Sequence, residues 1–186
     1  MSDPSRMLAF WLMPAGEAKQ FFVSLVRELA GRFHAPLFEP HVTLQATEAQ
    51  ADKATSRRLR EICASGMPID LEIERIDFSP QYTKTLFVRF HPSAPASALS
   101  KALSSGSAGY EFNPHLSLLY KELPEDVKRE TAAGIRVPFP RAQFDAVKVI
   151  STPAAIATAA GVEAWQTVAE CQLGPVARAW HGHPAR

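Results

Sequence analysis

Two stretches of this chain, "FEPHVTLQ" (Phe38 to Gln45) and "FNPHLSLLY" (Phe112 to Tyr120), write the same order of residue types: proline, histidine, apolar, hydroxyl, apolar. With 6 His and 15 Pro in 186 residues, that order should arise by chance roughly 0.01 times. It occurs twice. If each stretch is a strand, side chains alternate, so His41 and Thr43 share one face while Val42 and Leu44 enter the other. His115 and Ser117 repeat this against Leu116 and Leu118. Two such faces turned to a common cleft would present two acid/base groups and two hydroxyl donors. Hydrolysis of a phosphodiester needs that set. A neutral imidazole removes a proton from attacking water, a protonated one gives a proton to the departing oxygen, and the hydroxyls steady charge on the phosphoryl oxygens. Unperturbed histidines would then give a bell-shaped pH profile with both limbs near neutrality.

A lone histidine on a strand is usually structural; the recurrence of face, spacing and flanking proline is what argues for chemistry. Zinc is the rival use of paired histidines. No Cys, Asp, Glu or further His stands at ligand spacing to His41 or His115, so no metal is expected. His181 and His183 near the end of the chain resemble a metal pair but fall in a stretch that reads as a frayed tail, from Gly174 to Arg186.

The elements that must position the histidines are legible in outline. "RMLAFWLMP" reads as a buried strand stopped by Pro14, and "GEAKQFFVSLVRELAGRF" as an amphipathic helix with Phe22, Leu25, Val26 and Leu29 on one side. The His41 strand follows, then a helical pattern between Ala49 and Ala64 whose Arg57, Arg58 and Arg60 read as a solvated face. "PIDLEIERIDFSP" alternates Ile69, Leu71 and Ile73 against Asp70, Glu72 and Glu74 and predicts a strand with one wet face. "TLFVRFHP" is its expected antiparallel neighbour through a turn at Ser79 to Lys84. A helix near Pro95 to Ser104 leads to the His115 strand. The stretch "LPEDVKRETAAG" predicts a short helix, and strands over Ala142 to Ser151 and Trp165 to Leu173 close the sheet. The outcome is an α+β fold with mostly antiparallel strands, a single domain over residues 1–173. Each His strand sits between two helices, which hints at two similar lobes.

Composition narrows the partners. A net charge of +1 gives no broad field for long nucleic acid. A small ligand or an RNA end suits it better. Two cysteines without CxxC spacing point to a reducing compartment, and the cytoplasm is the expected location. The apolar start at Met7 to Ala15 is short, preceded by Asp3 and only one basic residue and interrupted by Pro14, so it resembles a first strand more than a signal peptide; no stretch reaches membrane-spanning length, and a monomer is expected.

With these residues in place the chain resembles the 2H phosphoesterase superfamily, named for two H-x-[ST]-x motifs, here "HVTL" at His41 and "HLSL" at His115. "PHLSLLY" and "FWLMP" are similar to its cyclic phosphodiesterase branch, and the motif order extends from about Leu8 to Leu173. The resemblance implies a two-lobed, pseudo-twofold fold with a central cleft and metal-independent, cofactor-free opening of 2′,3′-cyclic nucleotides or ADP-ribose 1″,2″-cyclic phosphate. It implies His41 as acid and His115 as base, with exchange of roles open, and Thr43 and Ser117 on phosphoryl oxygens. It further implies Tyr120 at the site, although parity opposes this unless a bulge or strand end turns it inward. Trp11 matches a branch tryptophan that could stack a purine or pack in the core. Tyr82 and Lys84 could reach a nucleotide from the rim. Alternatives are an RNA-end 2′,3′-cyclic phosphodiesterase or 2′-5′ ligase-like enzyme, and a non-catalytic nucleotide-binding module.

Overall fold

The computed structural model describes residues 6–48, 53–104 and 111–174. The strands are β1 (Arg6–Pro14), β2 (Val42–Thr47), β3 (Ile69–Phe78), β4 (Leu86–Phe90), β5 (His115–Leu119), β6 (Arg141–Pro153) and β7 (Gln166–Gln172). The α-helices are α1 (Gly16–Phe33), α2 (Lys53–Ser65), α3 (Ala94–Leu103), α4 (Glu125–Gly134) and α5 (Ala159–Glu163). A 3-10 turn at Tyr82–Lys84 joins β3 to β4. Only α5 has no counterpart in the sequence patterns: five residues are too few for helical periodicity to show. The histidine pair at 181 and 183, and the rest of the tail after Gly174, lie outside the described residues.

All strand pairings are antiparallel, in the order β1-β2-β5-β4-β3-β6-β7 with β1 also on β6. The strands form two units, β2-β1-β6-β7 and β5-β4-β3. They are joined by four residue pairs between β3 and β6 and by one pair, Val42 with Leu116, between β2 and β5. That pair joins the residue after each histidine. A pseudo-twofold axis running between the two motifs accounts for it, and it follows that His41 and His115 lie near one another.

Helices cover the other face. α1 lies against β5 and α3 against β2, so each half's helix packs on the other half's histidine strand. The apolar positions of the alternation fill this side: Leu12, Phe22, Leu44, Leu59, Leu71, Phe90, Leu116, Leu118 and Phe144 are all buried in one cluster. A smaller group, Ala9, Trp11, Met13, Ala146 and Ile150 with Trp165 against it, forms on the opposite side of β1 and β6. The histidines emerge on that second side.

Candidate active site

One cleft of about 320 Å³ is lined by His41, Thr43, His115, Ser117, Tyr120 and Trp11, with Gln81, Thr83, Thr152, Ile156 and Trp165 among its other walls. This size lies within the range of small-ligand sites, roughly 300–1,000 Å³. Alternation places the motif residues there, since Val42, Leu44, Leu116 and Leu118 are fully buried on the core side.

Each imidazole is pinned the same way. His41 Nδ1 stands 2.6 Å from the Glu39 carbonyl oxygen, and His115 Nδ1 stands 2.8 Å from that of Asn113. A carbonyl only accepts, so Nδ1 carries the proton in both rings and the neutral ring keeps its lone pair on Nε2. The accepting carbonyl in both cases lies two residues before the histidine.

Matched bulges complete the symmetry. The β1–β2 register passes from Phe10 opposite Gln45 to Trp11 opposite Thr43, skipping Leu44. The β4–β5 register passes from Leu86 opposite Leu119 to Phe87 opposite Ser117, skipping Leu118. Thus an aromatic residue faces the hydroxyl residue in each half, and each touches the adjacent histidine: Trp11 stacks on His41 at 3.7 Å and 9°, while Phe87 meets His115 edge-on at 5.6 Å and 75°. The second bulge also resolves the parity of Tyr120. Leu118 and Leu119 both point into the core, so alternation restarts and Tyr120, one residue past β5, returns to the cleft side.

Tyr120 is 4% exposed and stacks on Phe38 at 3.9 Å. Burial pushes its phenol well above the ordinary tyrosine value, so it stays protonated and hydrogen-bonds Ser117. Ser117 Oγ in turn donates to the Thr83 carbonyl at 2.8 Å. The Ser117 proton is therefore already committed to Thr83 and must turn away from it to reach a phosphoryl oxygen.

Two uses are open for Trp11 by sequence, stacking a purine and packing in the core. It is 3% exposed, with one face taken by His41 and Trp165 packed against it at 4.8 Å and 70°, so it offers no open face to a purine. The cause is its place on β1 directly opposite Thr43. Tyr82 and Lys84 do not line the cleft; the alternate residues of the turn, Gln81 and Thr83, do. Tyr82 approaches Tyr120 at 6.3 Å, and Lys84 Nζ sits 4.5 Å over the Phe87 ring. Sequence patterns also missed Trp165, which meets Trp11, Phe38, His41 and Tyr120 edge-on. Nothing local marks it. Phe38 was legible, for it precedes His41 by three residues as Phe112 precedes His115.

Burial also changes the titration. It lowers His41 to about 3 and His115 to about 4, Lys148 adding to the effect on His41, and Lys84 and Arg89 to that on His115. The two rings repel each other's charge as well. Both are neutral at pH 7 in these surroundings, so any pH limb set by these rings would lie to the acid side of neutrality. An anion seated between them would reverse part of this by favouring an imidazolium. Among the described residues no group of three or more His, Cys, Asp or Glu could hold a metal ion, and no helix is long and apolar enough to cross a membrane.

The doubled motif with its shared cleft matches a known family over most of its length: the profile of the 2′-5′ RNA ligase superfamily covers residues 16–154. The chain belongs to this superfamily, the 2H phosphoesterases. A cyclic phosphodiesterase of Arabidopsis thaliana is 25% identical over 173 residues, 89% of this chain and 94% of that one. Among solved structures, E. coli LigT in complex with 3′-AMP aligns at a TM-score of 0.57 and 16% identity, covering 92% of this chain and 99% of LigT. A Thermus thermophilus protein aligns at 0.59 and 13%, covering 90% and 97%. These structural likenesses establish a 2H phosphoesterase fold.

Proposed function

We propose that this 2H phosphoesterase hydrolyses 2′,3′-cyclic phosphodiesters, those of cyclic nucleotides or ADP-ribose 1″,2″-cyclic phosphate, to the monophosphate by two-histidine acid/base catalysis. The observation that carries the reading is the pair of imidazoles in one cleft, each pinned at Nδ1 so that Nε2 is its reactive nitrogen. His115 Nε2 takes a proton from water as its oxygen bonds to phosphorus. His41 gives its Nε2 proton to the ring oxygen whose bond to phosphorus breaks. One water is consumed, and the two rings exchange protonation states, reset by solvent.

One contact, the stack on Trp11, supports this assignment over its reverse. Trp11 lies face-to-face on His41, where an aromatic face stabilises an imidazolium. Lys84 and Arg89 oppose positive charge on His115. Burial, with the charges of His115 and Lys148 added to it, holds His41 the lower of the two; a seated phosphate anion supplies the missing countercharge. Thr43, Ser117 and the Tyr120 phenol would serve the phosphoryl oxygens. Thr43→Ala and Ser117→Ala are each expected to lower kcat/KM for 2′,3′-cyclic AMP, by up to about 10²-fold.

The founding test supplies 2′,3′-cyclic AMP with EDTA present and follows the product by phosphorus NMR. Turnover to a 2′-phosphate is expected. No turnover of 2′,3′-cyclic AMP or of ADP-ribose 1″,2″-cyclic phosphate would end the reading, and binding without product would leave a nucleotide-binding module. An RNA-end substrate is the second reading, favoured by Lys84, Arg89 and Arg75 beside the His115 half, although Asp77 bonds both arginines. A cyclic-phosphate-ended oligomer competed against the mononucleotide separates the two.

A further inference from the structure

Lys148 is a buried lysine that the chemistry above does not use. It sits on β6 between Trp11 of β1 and Glu170 of β7, its side chain only 10% exposed. A lysine so placed needs a carboxylate, and it has two: Glu39 at 2.6 Å and Glu170 at 3.3 Å. Together they hold its pKa above the usual lysine value despite burial, so it is charged at neutral pH.

The Glu39 contact reaches across 109 residues of sequence to the segment just before β2. That segment, residues 36–41, belongs to no helix or strand. Its Glu39 does two things. The carboxylate is tied to β6 by Lys148, and the backbone carbonyl accepts the His41 Nδ1 proton at 2.6 Å. The equivalent carbonyl in the second motif belongs to Asn113, which has no carboxylate for such a tie.

We propose that Lys148 is a positioning residue for His41: by anchoring Glu39 to β6 it holds the Glu39 carbonyl where His41 must keep its Nδ1 proton and present Nε2 to the cleft. Partners that orient a metal-bound histidine through its second ring nitrogen are commonly worth 10- to 100-fold in activity, and an acid/base imidazole held by the same kind of bond should respond on that scale. The proposal rests on the acid/base reading of His41 for its kinetic arm only; the tautomer arm is independent of it.

The experiment uses the full chain and four variants. Lys148→Met is expected to lower kcat on 2′,3′-cyclic AMP about 10-fold or more with KM within about twofold, and Lys148→Arg to restore most of it. In wild type, nitrogen-15 NMR of the histidine rings should show His41 as a single Nδ1-protonated tautomer; Lys148→Met should show a mixture. Both carboxylates are about half exposed, so losing the lysine leaves no buried charge, and the melting temperature should hold or rise. Should Lys148→Met fail to fold, Glu39→Ala breaks the same tie at a 54% exposed side chain while keeping the backbone carbonyl, and should reproduce both effects. The combined variant should lose little more than either alone. A folded Lys148→Met or Glu39→Ala with an unmixed His41 tautomer and unchanged kcat overturns the proposal. If wild type turns over no cyclic phosphodiester, the acid/base reading falls instead, and the tautomer comparison still decides the role of Lys148.

Discussion

His41→Asn and His115→Asn are each expected to lower kcat on 2′,3′-cyclic AMP by about 10²- to 10⁴-fold, the usual share of a positioned acid or base. Asn is chosen over Ala because its amide can still donate to the Glu39 or Asn113 carbonyl that Nδ1–H now occupies, so the loss isolates Nε2. The double variant should fall little below the weaker single one, because an acid without its base, or the reverse, completes only half of the proton exchange. Steady-state kinetics beside thermal melts of the four proteins check this. Losses that multiply across the pair would mean that the rings act independently, and activity preserved in either single variant would remove that ring from the chemistry.

Acid should unfold the protein through the same two rings. His41 falls from 6.5 to about 3 on folding and His115 to about 4, so between those values and 6.5 the unfolded chain binds more protons than the native one. Unfolding free energy then rises with pH across that window: the stabilisation is complete above about 6.5 and is lost as pH falls toward 3. For His41, 6% exposed, a shift of this size is on the order of several kcal/mol. His115 is only partly buried and contributes less. Denaturant melts at about pH 7, 5.5 and 4.5 should show wild type weakening steeply, and His41→Asn, with nothing to protonate there, weakening less. Equal slopes in the two proteins would show that His41 titrates in the fold as it does in the unfolded chain.

The two expectations conflict in a way that explains the site's design. Burial that dries the cleft and strengthens its hydrogen bonds also resists the imidazolium that acid catalysis needs. Trp11 stacked on His41 lessens that resistance on one ring only, while cations deepen it on both, Lys148 at His41 and Lys84 with Arg89 at His115. A pseudo-twofold scaffold thus carries two unlike histidines.

Much of this was open to a reader of the chain alone. Alternation is a local property of an extended backbone, so "HVTL" and "HLSL" announce which side chains share a face wherever those strands lie. The apolar period of α1 and the wet-dry alternation of β3 are equally local, and both elements stand where those patterns put them. What no local pattern holds is pairing. The skipped Leu118 that turns Tyr120 inward, the placing of Trp11 against His41, the arrival of Trp165 from the far end of the chain and the tie from Lys148 to Glu39 depend on which strand lies beside which, and in what register. Register, and with it the burial that moves both histidines toward acid, is settled by contacts summed over residues distant in sequence. The order of residue types therefore states the chemistry, and only the packed sheet decides its geometry and its pH.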